Sequence, residues 1–196
     1  MKRSFYVSLL LVVMLCGCLS VHELPAFGAS SNEKALMGTF ISNFTEQGMY
    51  DIDIDNITHD ELVHFGIWHN YINNFKSRIK RCPKKNCPYG GLIIDKKYVE
   101  ESVNKYFDLD IAHESAEGAH FDGRVYHFDG ADGETRYYAD VTEVSRRGNI
   151  ITMRGELYSA EDEDDRPATF VARAKPFKFN GKNTWSILSL RTDWNN

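Results

Sequence analysis

The sequence predicts an α+β fold, with N-terminal helices packed on a curved antiparallel meander sheet of four to five strands. Apolar residues recur at helical spacing between Leu36 and Phe107, and after Gly118 the period drops to two. The second half is also punctuated by turn dipeptides, Asp132-Gly133, Gly148-Asn149 and Asn180-Gly181. The length of 196 residues, with 42% hydrophobic and 26% charged, suits one domain plus an appendage and excludes disordered, collagen-like and coiled-coil classes. A formal net charge of −5 argues against a dedicated nucleic-acid binder.

The first element is an export signal over residues 1–28. Lys2 and Arg3 form a positive start, and the apolar run Phe5 to Leu15 is too short for a committed membrane span. Two cuts compete. Leu15-Cys16-Gly17-Cys18 resembles a bacterial lipoprotein box with Cys18 as the lipidated residue, although Cys16 replaces the usual small residue. Alternatively, Ala26-Phe27-Gly28 offers an ordinary cut near Gly28. Removing residues 1–28 takes away Lys2, Arg3 and Glu23, so the mature chain is one unit more negative. Residues 30–196 then form a single α+β domain.

Ser30 and Glu33 stand as a capping box before a helix bearing Leu36, Met37, Phe40, Ile41 and Phe44, with Gly48 at its exit. Thr58 and Glu61 make a second box, with Ile57 and Leu62 as hydrophobic staple. This predicts a long helix over about 59–80, with Phe65, Ile72, Phe75 and Ile79 on one face. A shorter helix follows Asp95, turning Val99, Val103 and Phe107 inward. Strands are predicted over 123–128, 135–144, 150–158, 168–177 and 184–192. Their short connections imply an antiparallel meander with one face against the helices.

Cys82 and Cys87 are the two cysteines of the folded part. Four residues separate them, against two in a redox motif, and no second ligand pair stands at zinc-site spacing. In an exported chain they are expected to close a small disulfide loop, worth roughly 2 kcal/mol by chain entropy. His59, His64 and His69 step by about 140° around a helix and share no face. His113, His120 and His127 recur every seven residues through loop and strand, where odd spacing alternates sides. Asp51, Asp53 and Asp55 begin like a calcium loop, but Asn56 and Leu62 replace its glycine and glutamate. No phosphate loop, dinucleotide fingerprint or nucleophile elbow occurs, so no catalytic, cofactor-binding or metal residues are assigned.

The most asymmetric feature is basic. Lys76, Arg78, Lys80, Arg81, Lys84 and Lys85 crowd the end of the long helix and the cysteine loop. Lys80, Arg81, Lys84 and Lys85 are the candidate patch for an anionic envelope surface, against the plainer reading of cations completing a helix dipole.

Helices followed by a sheet ending in a Trp-bearing strand, Thr184-Trp-Ser-Ile-Leu-Ser-Leu190, resemble the nuclear transport factor 2-like and cystatin-like group. Segments such as Glu61-Leu-Val-His-Phe-Gly-Ile-Trp-His-Asn70 and Val103-Asn-Lys-Tyr-Phe107 are similar to exported bacterial proteins. The resemblance implies a fold and supplies no catalytic residues. The expected function is a non-catalytic binding or interaction module of the envelope, without cofactor. Its expected partners are an anionic envelope surface or another envelope protein, not nucleic acid, and it reaches the membrane through a lipid anchor rather than a transmembrane helix. In a Gram-negative cell this means an outer-membrane lipoprotein or a periplasmic protein, and otherwise a secreted one. The alternative is a small-molecule enzyme or ligand carrier using a pocket between sheet and helices.

Overall fold

The computed structural model describes residues 29–130 and 136–195. In chain order the elements are α1 (Ser31–Thr45), β1 (Ile52–Asp53), α2 (His59–Arg78), β2 (Ile79–Arg81), β3 (Leu92–Asp95), α3 (Lys96–Phe107), β4 (Ala119–Phe121), β5 (Val125–Phe128), β6 (Tyr137–Arg147), β7 (Ile150–Ser159), β8 (Ala168–Phe179) and β9 (Lys182–Trp194). The α+β class holds, but the helices interleave with short strands instead of all preceding them. None of the described helices is long and apolar enough to cross a membrane. The signal, Cys18 and both proposed cuts lie outside the described residues.

Local sequence explains the helix starts. Ser30 accepts from the Glu33 N–H at 3.2 Å, and Asp95 accepts from the Lys97 N–H at 3.1 Å. Thr58 makes the full capping box, accepting from Glu61 N–H while its own N–H donates to the Glu61 carboxylate at 2.8 Å. The long apolar face predicted for α2 breaks at Asn74, whose backbone is non-helical. Beyond it Phe75 is exposed, and Ile79 re-enters the core from a strand rather than from a helix.

The expected meander is present as a five-stranded antiparallel sheet, in the order β1-β9-β8-β7-β6. The predicted strand over 123–128 is not part of it. That segment is β5 of a second antiparallel sheet, ordered β2-β3-β5-β4, which the sequence reading did not anticipate. Its strands run only three or four residues, too few to display a period, and β2 continues directly from α2.

Each sheet has its own core. Phe40, Phe44, Phe65 and Phe107 meet Met153, Leu157, Phe170 and Leu190 over the larger sheet. Val63, Ile67 and Val99 meet Ile79, Ile94, Tyr126 and Phe128 over the smaller one. α2 and α3 contribute to both cores, which makes them the shared layer. α1 closes the β6 edge of the larger sheet: Ser42 Oγ accepts from the Ala139 N–H at 2.9 Å, and Thr45 Oγ1 donates to the Tyr137 carbonyl at 2.7 Å. Capping that edge removes a template for strand addition.

Candidate functional site

The smaller sheet presents two faces. Ile79, Ile94, Tyr126 and Phe121 lie in register and belong to the helix-facing side. One step along, Lys80, Ile93, His127 and His120 form the next row, on the opposite face. The ten residues between β2 and β3 fold back over that outer row. Three contacts pin them there. The Cys82 N–H donates to the Gly91 carbonyl at 2.9 Å, the Gly91 N–H donates to Asp129 at 2.8 Å, and Gly90 lies against the Phe128 backbone.

This folding delivers both cysteines to His127. The Cys82 sulfur lies 3.7 Å and the Cys87 sulfur 3.3 Å from Nδ1 of an imidazole that is only 4% exposed. The three ligand-type atoms fall within 4.8 Å of one another. On the far side of the ring, Nε2 meets Asp122 Oδ2 at 3.1 Å. Asp122 is itself fixed, since its Oδ1 accepts from the Arg124 and Val125 N–H groups at 3.0 and 2.9 Å. The Val125 N–H, then His127 and the Arg124 N–H, hold its carboxyl well below the usual range. A backbone hydrogen bond from Tyr89, followed by contacts with Cys82 and His127, draws the Cys87 thiol down, whereas desolvation and then Cys87 push the Cys82 thiol up.

The expected Cys82–Cys87 disulfide is therefore not formed: both cysteines are free thiols that converge on His127. The histidine expectation needs correction too. His120 and His127 are antiparallel register partners on one face, because the Asp122-Gly123 turn folds the intervening six residues into a hairpin. That turn signal could have been read from the sequence. Their rings stand 6.1 Å apart, and His120 stacks on Tyr89 at 3.6 Å.

A groove of about 370 Å³ opens beside Cys82 and His127, lined by Arg78, Lys80, Lys84, Lys97 and Arg124. Its two carboxylates are already engaged, Asp95 as the α3 cap and Asp122 on His127. Of the predicted patch, Lys80 and Lys84 line this groove. Arg81 follows Lys80 in β2 and takes the opposite pleat, and Lys85 is exposed outside the lining. With α2 ending at Arg78, these four cations are not a helix terminus.

The acidic candidates have plainer roles. Asp53 accepts from the Asp55 N–H and from Asn56 within its own turn, and Asp51 accepts from the Thr192 N–H at 3.2 Å. A second, more polar groove of about 550 Å³ runs between α1 and β6–β7, with Glu46, Asn73 and Arg166 in its wall. Burial pushes the Glu46 carboxyl up, against a hydrogen bond from Asn73. Compared with protein-family models, curated proteins and solved structures, the chain matches none.

Proposed function

We propose that this chain is an exported envelope protein whose folded domain is a non-catalytic binding module for anionic groups. It reaches the envelope through a lipid on Cys18, or is released after a cut near Gly28. The observation that carries the reading is the basic groove, where Lys80, Lys84, Lys97 and Arg124 join an Arg78 paired with Glu101 while its two carboxylates are engaged with Lys97 N–H and His127. Exposed charges are screened beyond about 8 Å at physiological ionic strength, so a groove of this kind acts on a surface held nearby. A lipid tether supplies that nearness, and each basic residue near an anionic membrane contributes on the order of 1 kcal/mol.

Co-sedimentation with anionic and zwitterionic vesicles across a salt series tests this. Binding to the anionic vesicles alone should fall with salt, and fall further in Lys80→Glu/Lys84→Glu/Arg124→Glu. Absence of salt-sensitive binding to vesicles and to a soluble polyanion would overturn it. The second reading, a ligand carrier or small-molecule enzyme, draws on the polar groove beside Glu46, where a half-buried carboxyl with a raised pKa is a common mark of function. Turnover or small-ligand binding abolished by Glu46→Gln would favour it.

A further inference from the structure

We propose that Cys82, Cys87 and His127 bind a zinc ion, with Asp122 as the group that orients the histidine. This site shares the wall of the basic groove through Cys82 and His127, but it rests on the geometry of sulfur and nitrogen donors and not on the groove's charge.

The spacing fits the ion. Zinc binds sulfur at about 2.3 Å and imidazole nitrogen at about 2.0–2.1 Å, in tetrahedral array. Those bonds place a sulfur and a nitrogen ligand about 3.6 Å apart and two sulfurs about 3.8 Å apart. The two sulfur–nitrogen separations here, 3.7 and 3.3 Å, straddle the first value, and the sulfurs lie within 4.8 Å of each other. Small movements of an exposed loop complete the fit.

The tautomer fits as well. With Nε2 donating to the Asp122 carboxylate, Nδ1 keeps its lone pair, and that lone pair faces both sulfurs. A single lone pair can accept from only one of the two thiols at a time. A cation satisfies all three atoms at once. The carboxylate behind the ring is the arrangement that fixes ligating histidines and raises their basicity. Asp122 is well placed for it, because two backbone N–H groups of its own turn hold it.

The donor set also selects the ion. Two thiolates and an imidazole suit zinc over magnesium or calcium, which prefer oxygen. Three protein ligands leave a fourth position for solvent or an exogenous donor. Zinc binding converts each thiol to a thiolate and releases one proton from each, leaving the centre formally neutral.

The test is titration of the reduced full chain with Co²⁺ and then Zn²⁺. One equivalent of Co²⁺ should release the two thiol protons and give thiolate-to-cobalt charge-transfer absorption with tetrahedral d–d bands, and Zn²⁺ should then displace it without further proton release. Cys82→Ser and Cys87→Ser lie in an exposed loop and should each weaken binding at least tenfold with the circular dichroism spectrum unchanged. Asp122→Asn should weaken it about 10–100-fold. His120→Ala should leave it intact. Absence of the charge-transfer band in the reduced protein would overturn the proposal, as would a band unaltered by both serine variants. A Cys82–Cys87 disulfide in metal-free protein taken from the envelope would also overturn it. Zinc binding is read from the cobalt spectrum and anion binding from the salt series, so the two proposals fail separately.

Discussion

A β-carbon on Gly90 would stand 2.4 Å from the carbonyl oxygen of Phe128, backbone against backbone. Gly90 also sits at φ +123°, which other residues rarely adopt. This close approach holds the end of the cysteine loop against β5. Gly90→Ala is expected to destabilise the protein by on the order of 2 kcal/mol, because neither backbone can give way cheaply. Its neighbour is the control. A β-carbon on Gly91 would have only Asp129 Oδ1 near it, at 3.8 Å, so Gly91→Ala should be nearly neutral. Urea midpoints of the two variants check this, and equal midpoints would sink the idea.

Where a residue acts through its immediate neighbours, the sequence was a good guide. Thr58 and Glu61 cap α2 as their spacing dictates, and the long strands β6 to β9 follow their alternation. The smaller sheet was not legible as a sheet: β5 read as a strand of the meander, Ile79–Arg81 continues from a helix, and β3 and β4 are too short to show a period. The candidate site depended on that sheet. Cys87 and His127 are forty residues apart, and only the β3–β5 pairing with the folded-back loop makes them neighbours. Ligand spacing along the chain carries no trace of such a meeting, which is why the two cysteines read as a disulfide.

His69 should make the protein sensitive to mild acid. Burial, with Lys105 and Arg78 nearby, lowers its pKa from 6.5 to about 4, and the ring is only 7% exposed between Phe65 and Tyr106. The unfolded chain therefore binds a proton that the folded one refuses between about pH 6.5 and pH 4. Stability is full above that window and falls as the pH drops through it, by about 2 kcal/mol between pH 7 and pH 5. The Glu46 carboxyl, raised by burial, works in the opposite direction and nearer its ordinary range, so the comparison is cleanest above pH 5. Urea melts of the native protein and of His69→Gln should show the steeper loss in the former. Parallel losses would remove His69 as the cause.

Asn70 is fully buried where α2 crosses α3. Its Nδ2 lies within 3.0 Å of the Gly66 and Tyr98 carbonyls and of Ser102 Oγ, and its Oδ1 accepts from Arg78 Nη1 at 3.0 Å. Arg78 in turn pairs with Glu101 on α3 at 2.9 Å, so one amide joins the two helices and steadies a cation of the groove. Replacing Asn70 by alanine opens a small cavity and leaves several buried partners unsatisfied, at about 1–3 kcal/mol for such groups. The expected loss is on the order of 3 kcal/mol, against roughly 1 kcal/mol for Ser102→Ala, which removes a single partner. Because Asn70 and Arg78 belong to one network, the losses for Asn70→Ala and Arg78→Ala should not add in the double variant. Denaturation of the four variants decides it. If the single losses sum in the double, or if Asn70→Ala is no worse than Ser102→Ala, then Asn70 is a packed side chain and not the junction of the two helices.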